Sequence, residues 1–205
     1  MCGRFFLEES PELRPIVEAM NRSPLLPRFQ QHEKVLSGGE IRPTNVVPAI
    51  ASSKSGRRTV FPMKWGFGGT RLLINAKTET AAVKPAFREA WASHRCIVPA
   101  SWYFEWEHLA TGDGRKKTGD KFRLHPRGAA VTWLCGLYRI ENGLPCFVIL
   151  TREPSEEVRF IHDRMPLMMP ENCVDAWISP TARPEELVRE AASDIAYERA
   201  ASGTR

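Results

Sequence analysis

Four separated stretches of the chain carry side chains suited to chemistry on a carbonyl group. Cys2 follows the initiator Met, and methionine aminopeptidases remove Met1 when the next side chain is small. The chain would then begin with an amine and a thiol on adjacent carbons, with ordinary pKa values of about 7.7–8.0 and about 8.5. Both are nucleophiles close to neutral pH. Such a 1,2-aminothiol suits amide hydrolysis, or capture of an aldehyde as a Schiff base that then closes to a thiazolidine. An N-terminal Cys without a role is the plain alternative.

The other three stretches offer proton carriers and anchors. Asn75-Ala76-Lys77-Thr78-Glu79-Thr80 ends an apolar run, Leu72-Leu73-Ile74, so it is either a capped turn or a set of polar groups at a strand exit. Trp102-Tyr103-Phe104-Glu105-Trp106 sets one carboxylate among aromatics. On a strand Glu105 shares a face with Tyr103 and points away from Phe104 and Trp106. Buried there, its pKa rises and it becomes a candidate acid or base. Facing solvent, it is ordinary. Ile161-His162-Asp163-Arg164-Met165-Pro166 packs three ionisable groups together. His162 titrates near neutrality and could move protons, or it could simply end a helix near the dipole. The histidines His32, His94, His108 and His125 lack such company and read as surface residues.

These side chains need a scaffold, and the pattern supplies one. Ser10, Pro11 and the stripe Leu13, Ile16, Val17, Met20 predict a first helix. Residues 23–39 read as irregular. Strands are predicted at Val46–Ile50, Thr59–Trp65, Leu72–Ala76, Cys96–Pro99, Trp102–Trp106, Lys121–Leu124, Ala130–Tyr138 and Phe147–Thr151, from β-branched and aromatic runs bounded by Gly, Pro or Ser. Glu107–Gly119 reads as a long hairpin loop with Asp113-Gly114 at its turn. Helices are predicted at Lys84–Ser93, Pro154–Arg164, Pro170–Ile178 and Pro184–Ala200. Strands and helices do not alternate regularly, which disfavours a doubly wound sheet. An α+β fold with a mainly antiparallel, barrel-like sheet follows, as one domain over residues 1–205.

Composition narrows the function classes. The 205 residues are 42% hydrophobic and 26% charged, which excludes a disordered, fibrous or repeat chain. No apolar run reaches the ~20 residues of a membrane span, and no secretory signal precedes the first helix. A cytoplasmic protein is expected. The net charge of +5 favours an anionic partner such as nucleic acid. Five cysteines without a C-x-x-C pair argue against a disulfide framework and a zinc ribbon. Cys96, Cys135, Cys146 and Cys173 read as small buried hydrophobes. No metal site and no cofactor are expected.

Taken together, the segments resemble the SRAP family, the SOS-response-associated peptidases or abasic-site processing proteins. The matching pieces are Cys2-Gly3-Arg4-Phe5, Pro43-Thr44-Asn45 with Val47-Pro48, Lys64-Trp65-Gly66, Ile74-Asn75-Ala76 with Glu79-Thr80, Cys96-Ile97-Val98-Pro99-Ala100, Tyr103 with Glu105-Trp106, and Ile161 to Pro166. They run in family order over about nine-tenths of the chain.

The resemblance implies a compact α+β domain around a curved, barrel-like sheet with flanking helices. It implies detection of abasic sites in single-stranded DNA and covalent attachment through Cys2 exposed by Met1 removal, with some Schiff-base lyase activity. In that reading Cys2 is the nucleophile, and Asn75 positions the N-terminus and the sugar. Glu105 is the acid/base and His162 assists sugar opening. Arg4 and Lys77 contact phosphates, and Trp65 and Trp106 lie beside the strand. Two departures stand out: Lys77 where relatives often carry Arg, and a short segment at residues 67–71. The C-terminus is expected to end on a helix and the protein to be a monomer. Two rival functions remain at this stage, an N-terminal-nucleophile thiol peptidase or amidohydrolase and a non-catalytic single-strand DNA-binding module.

Overall fold

A computed structural model describes residues 2–110 and 116–200. Its strands, in chain order, are β1 (Arg4–Leu7), β2 (Gly39–Ile41), β3 (Val46–Ser52), β4 (Arg58–Trp65), β5 (Asn75–Lys77), β6 (Arg95–Ala100), β7 (Trp102–Ala110), β8 (Lys116–Pro126), β9 (Thr132–Glu141), β10 (Leu144–Arg152), β11 (Met165–Pro166), β12 (Met168–Met169) and β13 (Ile195–Arg199). Short helices join them: α1 (Arg14–Asn21), α2 (Leu26–Gln30), α3 (Thr78–Ala81), α4 (Arg88–Ser93), α5 (Val174–Ile178) and α6 (Pro184–Leu187).

Five strands close on themselves. β10 pairs with β4, β4 with β3, β3 with β6, β6 with β9, and β9 returns to β10. All these pairs are antiparallel except β4 with β10. Every residue of β6 is buried, as are Val46–Ala51 of β3, because one side lines the barrel core and helices and a second sheet cover the other. The second sheet has the order β13-β8-β7-β1-β2. The α+β fold with a mainly antiparallel barrel is therefore the one the pattern predicts.

Helix α5 is fastened to the barrel by polar bonds as well as apolar packing. The Trp177 indole donates to the Cys96 carbonyl at 3.0 Å. The buried Arg95 guanidinium donates to carbonyls of Trp177, Trp91, Ala92, Ser179 and Ala182, which satisfies a charge that burial alone would make costly.

Several predicted elements differ. Residues 154–164 are not a helix: only a 3₁₀ turn at Glu156–Val158 forms. The predicted helix Pro184–Ala200 stops after α6 and a 3₁₀ turn at Val188–Glu190. Ile195–Arg199 is instead strand β13, paired residue for residue with Pro126 to Phe122 of β8, so the C-terminal segment is a strand and not a helix. Ala191 and Ile195 are buried as the helical stripe required, but Ile195 as the first residue of the β13–β8 ladder and Ala191 at the end of the 3₁₀ turn. Of Leu72–Ala76 only the end is strand, since Leu73 makes a single bridge to Phe67. The loop predicted at Glu107–Gly119 is mostly ladder, with β7 running to Ala110 and β8 starting at Lys116. Asp113-Gly114 lies outside the described residues. α2 falls in the stretch read as irregular, and α3, β1 and β2 were not predicted.

Cys96, Cys135 and Cys146 are buried and unbridged, whereas Cys173 is half-buried. Among the described residues, no helix is long and apolar enough to cross a membrane.

Candidate active site

The four candidate residues come from four elements that meet at one end of the second sheet. β1 pairs with β7 so that Arg4 opposes Phe104 and Phe6 opposes Trp102, which brings the segment before Arg4 toward the Glu105 end of β7. β5 lies parallel beside β10, with Asn75 opposite Ile149. The Asn75 side-chain amide then donates to the Cys2 carbonyl at 2.9 Å. Trp65 makes this arrangement possible from below. It is fully buried, and its indole donates to the Ile74 carbonyl at 2.9 Å. Gly66 follows in the left-handed region, φ +120°, where an added Cβ would strike Leu72, so the chain can turn back toward Asn75.

Glu105 faces inward with Tyr103, and both are buried. Phe122 of β8 lies directly opposite Glu105 in the ladder. The Glu105 carboxylate accepts from the Trp106 backbone N–H at 3.3 Å and lies 3.9 Å from His162 Nε2. Burial pushes the Glu105 pKa up, and the Asp163 charge adds to the rise. Burial also pushes up the Cys2 thiol, with Glu105 adding to the effect. The thiol is wholly buried, with Sγ 3.9 Å from the Arg4 carbonyl. The Tyr103 hydroxyl is raised too, by burial and then by Cys2 and Glu105.

His162 is buried between two carboxylates. Its Nε2 faces Glu105, and its Nδ1 lies 2.8 Å from Asp163 and 3.0 Å from the Arg164 N–H. Nδ1 cannot accept and donate at once. A neutral ring accepts from Arg164 N–H and holds its proton on Nε2, toward Glu105; a protonated ring donates to Asp163 instead. The imidazole is thus in hydrogen-bond reach of Asp163 on one side and faces Glu105 across 3.9 Å on the other. A bidentate pair fixes this loop: Arg164 Nη1 and Nη2 donate to the two Glu79 oxygens at 2.7 and 2.9 Å, and Nη2 also donates to the Thr151 carbonyl at 2.6 Å. Against the cost of burial, Arg164 holds the Glu79 carboxyl below its ordinary range. Glu79 follows Asn75 on the next turn, so one ion pair ties the Asn75 and His162 segments together.

His108 belongs to the same cluster, although its sequence context reads as surface. Its ring lies 4.0 Å from that of His162, centroid to centroid. The β7–β8 register shifts between Trp106 and His108, and simple alternation along a strand does not follow a side chain past such a bulge. His108, His162 and Asp163 hold metal-ligating atoms within 4.8 Å of one another. His162 Nδ1 is already engaged by the Arg164 backbone N–H.

The residues read as strand contacts separate into two groups. Arg4, half-buried, sits over the Trp106 ring at 5.1 Å and pairs with Glu40 at 2.9 Å. Trp106 is partly exposed and Lys77 exposed. Trp65 presents no face to any ligand, because its ring is stacked within the core against Phe147 and tilted on Phe5. It supports Asn75 from inside and does not lie beside a strand. The larger surface hollows hold none of Cys2, Asn75, Glu105 or His162.

Comparison with known proteins supplies the lineage. Abasic site processing protein YoqW of Bacillus subtilis is 30% identical over 194 residues, covering 88% of this chain and 81% of that protein. Abasic site processing protein YedK of Escherichia coli is 29% identical over 217 residues, covering 99% and 86%. A phage-related protein from Bordetella bronchiseptica has the same fold, with a TM-score of 0.72 at 21% identity over 98% of this chain and 95% of that one. The family model described as SOS response associated peptidase (SRAP) matches residues 1–201, and the chain belongs to that family.

Proposed function

We propose that the protein captures abasic sites in single-stranded DNA as a covalent thiazolidine through Cys2, after loss of Met1. The observation that carries this reading is the convergence of Cys2, Asn75, Glu105 and His162 at one buried point, with Asn75 bonded to the Cys2 carbonyl and Glu105 beside His162. The abasic site processing names of the relatives support the substrate class.

The chemistry follows from the groups. An abasic deoxyribose is mostly a closed hemiacetal. Opening it removes the hemiacetal O–H proton and delivers a proton to the ring oxygen as the carbon–oxygen bond breaks, which suits an imidazole, a group that takes up and releases protons near neutral pH. The freed amine of Cys2 adds to the aldehyde. The carbinolamine then loses water, and that step needs an acid. Glu105, with its pKa raised by burial, keeps its proton to higher pH than an ordinary carboxyl and can supply it. The thiol finally adds to the imine carbon and its proton passes to nitrogen. The sum is aldehyde plus aminothiol giving thiazolidine plus water.

The buried thiol sets the order of events. Held neutral, it is a poor first nucleophile, so the amine acts first and sulfur closes the ring. An imine that lingers before ring closure permits β-elimination, which accounts for an accompanying lyase activity. Arg4 and Lys77 bind phosphates and Trp106 contacts the flanking strand. In this reading the protein is a cytoplasmic monomer that works on DNA.

Incubating the protein with single-stranded oligonucleotides, with and without one abasic site, tests this. A denaturation-resistant band with the abasic strand alone is expected. Equal non-covalent binding to both strands would support a binding module instead, and no interaction with either would leave the peptidase.

A further inference from the structure

Outside the catalytic group, the outer face of the second sheet carries a cluster of cations around a single acid. Arg4 on β1, Lys121 on β8 and Arg42 just beyond β2 all bond to Glu40: Arg4 Nη1 and Arg42 Nη2 reach Oε1 at 2.9 and 3.0 Å, and Lys121 Nζ reaches Oε2 at 2.9 Å. The ladder puts them together. Phe6 opposes Glu40, Arg4 opposes Phe104, and Trp106 opposes Lys121. Lys121 lies 3.8 Å from the Phe104 ring centre and 5.3 Å from that of Trp106.

Three positive charges on one carboxylate leave an excess of two. Arg42 is well exposed, and the other two keep about a quarter to a third of their side-chain surface in water. Folding alone does not require such an excess, since one cation would neutralise Glu40. Against the cost of its partial burial, Lys121 first and then Arg42 and Arg4 hold the Glu40 carboxyl below its ordinary range. Glu40 therefore stays charged and keeps the guanidinium and ammonium groups in fixed places, with spare donors facing out beside Trp106.

We propose that Arg42 and Lys121, organised with Arg4 by Glu40, are phosphate-binding residues for the single strand flanking the lesion, which leaves the active site over Trp106 and runs onto the outer face of the second sheet. This rests on the reading of the site as a binder of abasic single-stranded DNA, and it extends the strand path to Arg42 just beyond β2 and Lys121 on β8. The occupant is chosen by charge and shape together. A polyanion with stackable groups fits cations interleaved with aromatics.

The test is the salt dependence of binding. An undamaged single-stranded oligonucleotide is titrated with wild type, Arg42→Gln, Lys121→Gln and Lys121→Arg by fluorescence anisotropy at several salt concentrations. Each Gln variant should weaken binding and flatten the slope of log K against log salt by about 0.7. Lys121→Arg should restore the slope, which separates lost charge from damaged packing. At limiting abasic strand, crosslinking by each Gln variant should slow in step with its lost affinity, and Lys121→Arg should recover it. Unchanged slopes in both Gln variants, with wild type still crosslinking, would overturn the inference and show Arg42 and Lys121 to be structural ion pairs. Failure of wild type to crosslink would instead strike the proposed function itself.

Discussion

The two faces of strand β7 are a residue apart and chemically opposite. Inward, Tyr103 and Glu105 are buried beside Cys2 and His162, and burial raises the pKa values of Cys2, Tyr103 and Glu105. Outward, Trp106 stands among Arg4, Arg42, Lys121 and Glu40, where ion pairs lower the Glu40 carboxyl and water remains in reach. Period-two alternation gives one strand both environments. Proton transfer to a forming imine needs an acid that stays protonated, and at Glu105 burial is the main cause of that, with the Asp163 charge adding to it. Holding a polyanion needs charges that stay charged, which only solvation or pairing provides. Neither set would work on the other face.

The largest expected effect is on the inner face. Cys2→Ser should abolish the stable adduct while leaving an imine that a hydride donor can trap, because the amine survives and the ring-closing sulfur does not. A stable adduct of Cys2→Ser without reductant would break the thiazolidine assignment.

Next come the proton carriers. Glu105→Gln should slow crosslinking by ~10²–10⁴-fold on any aldehyde strand. His162→Ala should lose a comparable factor only on the closed sugar, and behave nearly as wild type on a pre-opened aldehyde. Equal losses on both substrates would merge the two roles. Glu105 also gives a pH signature. Its folded pKa is raised, so the native protein holds that proton to higher pH than the unfolded chain, and stability falls as pH climbs from the ordinary carboxyl value of about 4.3 toward the raised one. Glu105→Gln lacks this penalty. Its melting temperature should gain on wild type as pH rises through that window, and a parallel pH profile for the two proteins would mean that Glu105 is not desolvated.

A contrast of two tryptophans sharpens the division further. Trp65→Ala empties a core position and should cost about 3–5 kcal/mol of stability, readable by denaturant unfolding. Trp106→Ala should fold normally and lose about 1–3 kcal/mol of strand affinity, readable by anisotropy. Reversal of that pattern would put the strand on the wrong side of the sheet.

Much of this was legible in the sequence because the decisive signals are local. Cys2 after Met1, Glu105 among aromatics and the His162-Asp163-Arg164 run need no tertiary information to be noticed, and β-branched runs marked the barrel strands. What escaped depends on partners distant in sequence. Ile195–Arg199 carries a helix-compatible stripe and becomes a strand only because the edge of β8 is open to pair with it. His108 reaches His162 past a register shift that alternation does not encode. The family resemblance puts Trp65 beside the strand, yet its indole is spent on the Ile74 carbonyl inside the core. The Glu79–Arg164 pair joins residues 85 positions apart, which no local pattern could signal.

The central claim is that an amine and a thiol on Cys2 close together on one aldehyde. Intact mass spectrometry of the protein after reaction with a single-stranded oligonucleotide bearing one abasic site tests it most directly. The account predicts one adduct, whose mass is the chain without Met1 plus the abasic strand less one water, stable without reductant and blocked by prior alkylation of Cys2. An adduct on chains that retain Met1, or one that forms equally well after Cys2 alkylation, would contradict it.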